Sequence, residues 1–182
     1  MTRMSGPANV PARMRAPVIA TAMTSILHEA TRPVVDPIQD VDWLPVIPGE
    51  MIAIRLDSAH TAKAFALVES VVEPMAGPPL HVHHDADEMF YVLSGHVTFA
   101  RHDEMFEAGP GDVVYIPRDV PHAFRNFGDE QARMLVTFTP GGFEDFFRAA
   151  GAHPPERLPE LLAQRKASIV GPQIPHPRET RR

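Results

Sequence analysis

Short apolar segments separated by glycine, proline and aspartate restrict the fold of this chain more than any other feature. The segments are rich in β-branched and aromatic residues, which is typical of half-buried strands. Many short strands with frequent turn residues favour a sandwich or a jelly-roll barrel. We therefore predict an all-β fold, with strands at residues 52–56, 64–72, 80–83, 88–93, 96–100, 112–116, 122–126 and 132–139.

The predicted barrel spans residues 51–140, and segments of different character flank it. Residues 1–50 contain seven prolines, which remove backbone donors and predict an extended, partly disordered arm. Phenylalanines and then leucines at helical spacing predict two short helices within residues 141–167, and the phenylalanines would brace one opening of the barrel. Residues 168–182 contain three prolines, and we predict an unstructured tail there.

Two separate segments carry side chains suited to binding a metal. His81 and His83 lie two apart on a predicted strand, so their side chains point to the same face. Glu88 begins the next strand after a short polar reversal, and His122 follows a proline-punctuated connection. Three imidazoles and one carboxylate are a ligand set that borderline divalent metals favour. The sequence therefore predicts a metal site, provided that the strands bring the four side chains together.

The spacing of these residues resembles the two motifs of the cupin family. Residues 81–95 read His-x-His, four residues, Glu, six residues, Gly. Residues 111–126 read Gly, five residues, Pro, and then His and Asn with three residues between them. The resemblance covers residues 65–138 and implies a single cupin jelly-roll β-barrel that binds one metal ion. It carries over to the metal ligands His81, His83, Glu88 and His122.

One position departs from the second motif. The family usually has a glycine two residues after the motif's proline, whereas this chain has Asp119. Aspartate tolerates unusual backbone angles in turns, so this departure bears on the local loop rather than on the predicted ligands. His84 has the opposite strand parity to His83, and we predict that it is not a ligand.

Within the family, the motifs look most like the single-domain branch similar to quercetin dioxygenase. This likeness implies an oxygen-dependent, ring-opening dioxygenase that acts on a small hydroxylated or dicarbonyl compound. Glu88 would be catalytic, because a carboxylate that leaves the metal can accept a substrate proton. A metal-dependent isomerase, lyase or decarboxylase and a non-catalytic metal- or metabolite-binding protein remain alternatives. The ligand types do not choose among Fe, Mn, Ni, Cu, Co and Zn.

Apolar side chains near the ligands predict the walls of a substrate pocket. Strand parity places Phe90, Val92 and Phe124 on the ligand side, and Phe99 and Leu135 are further candidates. Such walls suit a planar or apolar molecule and would exclude water.

Composition narrows the range of partners. The chain has 23 acidic and 17 basic residues and a formal charge of −6, which argues against a nucleic-acid surface. No apolar stretch reaches the roughly 18–20 residues that a membrane span requires. The absence of cysteine is compatible with the cytoplasmic location that we expect. The expected partners are a small-molecule substrate and dioxygen, and a homodimer is left open.

Overall fold

The computed structural model describes residues 41–101 and 104–176, which form strands and two short helices. The strands are β1 Trp43–Ile47, β2 Glu50–Leu56, β3 Ala66–Val72, β4 His81–His83, β5 Asp87–Ser94, β6 Val97–Arg101, β7 Glu104–Ala108, β8 Val113–Ile116, β9 His122–Arg125, β10 Ala132–Thr139 and β11 Ala167–Ile169. The helices are α1 Glu144–Ala152 and α2 Leu158–Gln164. Short 3₁₀ turns lie at Ser58–Thr61 and Pro155–Arg157.

The strands form two antiparallel sheets that enclose one core. The six-stranded sheet has the order β1-β2-β3-β10-β5-β8, and the five-stranded sheet has the order β11-β4-β9-β6-β7. Buried and less buried side chains alternate along β10, as expected for a strand with one face on the core. Each of the eight strands predicted from the sequence is present, which confirms the all-β jelly-roll prediction.

Three strands were missed, and each lies at the edge of a sheet. β1 falls within residues predicted to be an extended arm, but it pairs with β2 despite Pro45. An edge strand tolerates proline because one side of its backbone needs no partner in the sheet. β7 carries two glutamates and is largely exposed, so its sequence lacks the apolar signal of the central strands. Residues 1–40 of the predicted arm lie outside the described residues.

The segment after α2 also differs from the unstructured tail that we predicted. β11 pairs with β4, with Ser168 opposite Val82. Beyond it, the Leu80 amide donates to the carbonyl of Pro172, and the Gln173 side chain donates to the carbonyl of Gly77. These hydrogen bonds hold residues 167–173 along β4 and the residues before it, and β4 carries two of the candidate ligands. Residues 177–182 lie outside the described part of the chain.

The two helices lie within the segments where the spacing of phenylalanines and of leucines predicted them. α1 buries Phe146, Phe147 and Ala150 against the barrel. The carboxylate of Glu144 in its first turn accepts hydrogen bonds from the backbone amides of Ser58 and Gly142, at 2.9 and 2.7 Å. These contacts fix the start of α1 to the barrel. Within the described residues, no helix is long and apolar enough to cross a membrane.

The side chain of Asn126, the last residue of the second motif, forms hydrogen bonds with three backbone groups. Its fully buried amide donates to the carbonyls of Val72 and Glu130, at 2.9 and 2.8 Å, and its oxygen accepts from the Gly128 amide at 2.9 Å. Its motif position is therefore explained by a structural role in closing the turn before β10.

We predict that Asn126→Ala lowers the free energy of unfolding by about 2–3 kcal/mol, since it leaves buried backbone groups without partners. Urea denaturation followed by circular dichroism measures the change. Gln131→Ala, at an exposed position, is the control and should cost less than about 0.5 kcal/mol. Equal stability of the two variants would contradict the structural role of Asn126.

Candidate metal centre

The four predicted ligands meet at one point inside the jelly roll. One potential ligand atom from each of His81, His83, Glu88 and His122 lies within 4.8 Å of the others. His81 and His83 project from β4, and His122 of β9 lies directly opposite His81 in the antiparallel register. Glu88 comes from β5 in the other sheet. The cluster therefore joins both sheets across the core.

Backbone carbonyls orient two of the three rings. Nδ1 of His81 lies 2.9 Å from the carbonyl oxygen of Pro79, and Nδ1 of His122 lies 3.0 Å from that of Val120. A carbonyl only accepts hydrogen bonds, so both rings carry a proton on Nδ1 and donate it. This arrangement fixes the orientation of each ring and leaves Nε2 as its potential ligand atom.

The ring of His83 has no hydrogen-bond partner among the described residues. Both ring nitrogens are buried and unsatisfied among the described residues, although Nε2 lies 3.3 Å from Glu88 Oε2 without hydrogen-bonding geometry. A buried polar group that lacks a partner costs free energy, so unsatisfied nitrogens call for an explanation. The same Glu88 oxygen lies 2.8 Å from Nε2 of His122.

The charge states of Glu88 and His81 suit metal binding, whereas Glu88 favours a proton on His122 that a metal ion would have to displace. Burial favours the neutral form of Glu88, but the imidazoles of His83 and His122 outweigh it and hold the pKa of this carboxyl below its usual range. Burial lowers the pKa of His81 to about 3, and repulsion from His122 and His83 adds to the effect. Burial opposes charge on His122 as well, but the hydrogen bond and charge of Glu88 prevail and raise its pKa. An ionised carboxylate and a neutral imidazole are the forms that bind metals.

A cavity of about 130 Å³ opens beside the cluster and is lined by His81, His83 and Glu88. Phe90 and Phe124 lie in its wall, where the sequence predicted them. The structure places the other three pocket candidates elsewhere. Val92 and Phe99 are fully buried in the core behind the wall, with Phe99 packed against Phe90 at 5.1 Å between ring centroids.

Leu135 is a correction to the predicted pocket. It pairs with Tyr91 across β10 and β5, and the side chain of Tyr91 is 40% exposed. Cross-strand partners share a face, so Leu135 points to the outer surface of the six-stranded sheet. Its neighbours Met134 and Val136 face the interior, and Val136 lines the cavity.

Several wall residues come from elements that the sequence did not connect with the site. Phe143, predicted only as packing, stands edge-on against His83 with ring centroids 4.3 Å apart. Glu50 also lines the cavity, at the end of the segment taken as an arm. Glu50 lies two residues before the apolar Ile52, and this strand spacing could have placed its side chain on the inner face. The further wall residues are Val46, Ile47, Ile52, Val68, Pro78, Pro79, Val136, Phe138, Phe146, Phe147, Leu158, Leu162 and Ile169.

The loop that contains Asp119 contacts the strand of the cluster. Asp119 has a φ of +63°, in the left-handed region that glycine favours and aspartate tolerates. Its amide donates to the carbonyl of His83 at 2.7 Å. Its carboxylate lies 2.9 Å from Nδ1 of the exposed His84. His84 thus points away from the cluster, as its parity predicted.

Comparison with known proteins identifies the fold. Residues 68–138 match the family model described as Cupin domain, a range that contains all four residues of the cluster. KdgF from Halomonas sp. superimposes with a TM-score of 0.56 at 20% identity, over 62% of this chain and 99% of that one. The polyketide cyclase RemF from Streptomyces resistomycificus gives 0.52 at 28% identity, over 59% and 78%. The chain therefore has the cupin fold, and its His/Glu cluster is a candidate metal centre.

Two curated relatives match parts of the same region. The protein MJ1618 of Methanocaldococcus jannaschii is 32% identical over 81 residues, which are 44% of this chain and 65% of that protein. Quercetin 2,3-dioxygenase of Bacillus subtilis is 32% identical over 71 residues, which are 39% of this chain and 21% of that protein. Each match spans less than two thirds of the relative's own length.

We predict that His83→Ala weakens metal binding at least about 10-fold, because loss of a ligand should cost no less than loss of a residue that supports one. Elemental analysis and metal titration of the purified protein measure the change. His84→Ala is the matched control, since the exposed neighbour faces away from the cluster. Normal metal content in a His81→Ala, His122→Ala double variant would refute the ligand assignment.

Proposed function

We propose that this protein is a metal-dependent oxidoreductase, and specifically a dioxygenase, acting on a small, neutral hydroxylated or dicarbonyl compound. His81, His83, Glu88 and His122 would hold one divalent metal ion. The observation that carries the proposal is the pair of unsatisfied, buried nitrogens on His83, in a cluster whose ligand atoms lie within 4.8 Å of one another. A cation among these atoms would give His83 the partner that it lacks.

The donor set also fits the proposed chemistry. When a divalent metal is bound, it would supply Lewis-acid polarisation of a substrate oxygen and, if it is redox-active, a route for electrons to dioxygen. Fe, Mn, Ni, Cu, Co and Zn all accept imidazole and carboxylate ligands. The buried walls of the cavity would exclude water from the reacting groups.

The lining of the cavity supports a neutral substrate. Its titratable residues are Glu50, His81, His83 and Glu88, and no lysine or arginine is among its described wall residues. Apart from the metal ion, an anionic substrate would meet no cationic side chain there and would face the ionised carboxylate of Glu88. Aromatic rings from the barrel and from around α1 form much of the remaining wall, which suits a planar, largely apolar molecule.

The relatives support the same class of substrate in different ways. The match to quercetin 2,3-dioxygenase favours oxygen-dependent chemistry on such a molecule. The likeness to the polyketide cyclase RemF, at 28% identity, favours the alternative of a redox-neutral reaction. Both reactions would use the same polarising centre, so the requirement for oxygen distinguishes them.

Glu88 is the residue that we propose for proton abstraction beside the metal. Its Oε2 already lies 2.8 Å from Nε2 of His122 and 3.3 Å from that of His83. Its carboxyl group is ionised at neutral pH, because the two imidazoles lower its pKa. An ionised carboxylate beside a bound substrate can accept a proton from it.

We expect the protein to consume oxygen in the presence of quercetin or benzoylacetone and a redox-active ion. An oxygen electrode and product analysis by mass spectrometry measure the reaction. Zn²⁺ should fill the site and abolish turnover, since it has no accessible redox chemistry. Turnover that persists with Zn²⁺ under anaerobic conditions would establish the redox-neutral alternative instead. Oxalate, a small dianion, should not be consumed.

Glu88→Gln should retain much of the metal while turnover falls by about 10²-fold or more, since an amide cannot accept the proton. Steady-state kinetics and elemental analysis on the same preparation separate the two effects. The exposed Glu107→Gln variant is the control for the same chemical change. Undiminished turnover of metal-loaded Glu88→Gln would rule out the proton-acceptor role.

A further inference from the structure

Glu50 is a buried carboxylic acid in the cavity that is not part of the metal cluster. It begins β2, its side chain lines the cavity, and only 7% of the residue is exposed. It lies two residues before the core residue Ile52 on the same strand, so both side chains point inward. A buried carboxyl in an apolar wall is costly and calls for a functional explanation.

Glu50 has no cationic partner among the described residues. Its Oε1 accepts a hydrogen bond of 2.9 Å from the Ser70 hydroxyl, and no described residue donates a hydrogen bond to Oε2. β1 and the helices contribute only apolar side chains to the wall, including Val46 and Ile47. Glu69, on the neighbouring β3, has Arg133 instead, which shows how this fold stabilises a buried carboxylate elsewhere.

These surroundings favour the neutral form of the acid. Burial raises the pKa of Glu50 to about 7, the Ser70 hydrogen bond opposes the shift, and repulsion from Glu88 adds to it. The other titratable groups that share the cavity are His81 and His83 of β4. A pKa near neutrality is the value at which a carboxylic acid can both hold and release its proton under physiological conditions.

We propose that Glu50 is a second proton-transfer residue of the cavity, whose neutral carboxyl donates a hydrogen bond and then its proton to an oxygen of the bound substrate. This inference rests on the proposed function of the same cavity. The cavity wall carries Glu50 as well as the cluster residues, so one small molecule can meet both. Ser70 would position the carboxyl by holding Oε1, which leaves Oε2 for the substrate.

The transfer is balanced without any co-reactant. The O–H bond of the Glu50 carboxyl breaks, and an O–H bond forms on a substrate oxygen that is gaining negative charge. Glu50 is left as a carboxylate, and a proton from water restores it after product leaves. No electron changes hands in this step. The acid form is required, so its contribution is present below the pKa of Glu50 and is lost as the pH rises through it.

Infrared difference spectroscopy of the full chain tests the protonation directly. We expect the carbonyl stretch of a protonated carboxyl in the wild type at pH 6, and its disappearance in Glu50→Gln. Adding quercetin should shift this band, because the carboxyl then donates a hydrogen bond to the ligand. The band should persist in Glu73→Gln, a matched control at an exposed position on the neighbouring segment. An absent band, or one that quercetin does not shift, overturns the proposal whether or not the protein turns over.

Kinetics of the metal-loaded protein test the transfer itself. Glu50→Gln should keep the wild-type metal content and bind quercetin within about 3-fold, because its amide can still donate a hydrogen bond. Its kcat should fall by about 10²-fold, and the decline of kcat at alkaline pH should vanish. Ser70→Ala should move this decline to higher pH, since it removes the bond that stabilises the carboxylate. The proposal is overturned if Glu50→Gln has the same kcat and pH profile as Glu73→Gln. A wild-type protein that binds no metal refutes the proposed function instead.

Discussion

The cross-strand pair of His81 and His122 is the contact on which the site depends. It brings β4 and β9 together in one sheet, although 40 residues of sequence lie between the two positions. Glu88 reaches the same point from β5 in the opposing sheet and lies within 2.8 Å of His122. The cluster thus spans the interior, and packing of the two sheets fixes its dimensions. Backbone carbonyls then set two of the rings, so little side-chain freedom is lost when a ligand binds.

The two buried carboxyl groups of the cavity differ because their partners differ. Glu88 faces imidazoles, whereas Glu50 faces a hydroxyl and apolar walls. In a medium of low polarity, the available partner decides whether a carboxyl is ionised, because water cannot solvate the charge. In the same apolar surroundings, the pKa of Glu88 is therefore lowered and that of Glu50 is raised. Helices α1 and α2 complete these walls, which gives the C-terminal segment a role in the site as well as in the core.

The strands that the sequence revealed are those with an apolar face, and the missed ones lie at the sheet edges. β10 alternates along its whole length, and its period shows in the sequence. β1 contains Pro45, and β7 carries glutamates, so both look like connections until a neighbouring strand is seen beside them. β11 is three residues long and depends on its pairing with β4. Edge strands form largely because a partner offers hydrogen bonds, and that information is not local.

The sequence by itself determined the candidate ligands, since strand parity and motif spacing single out His81, His83, Glu88 and His122 and set His84 apart. It also determined that Phe90 and Phe124 face the same interior. Only the tertiary structure decided which apolar residues border the cavity, because Val92 and Phe99 share that interior and yet lie behind its wall. It alone placed Glu50 beside the cluster and Leu135 on the outer surface. Parity assigns a side chain to a face, but depth along the barrel depends on how the two sheets and the helices pack.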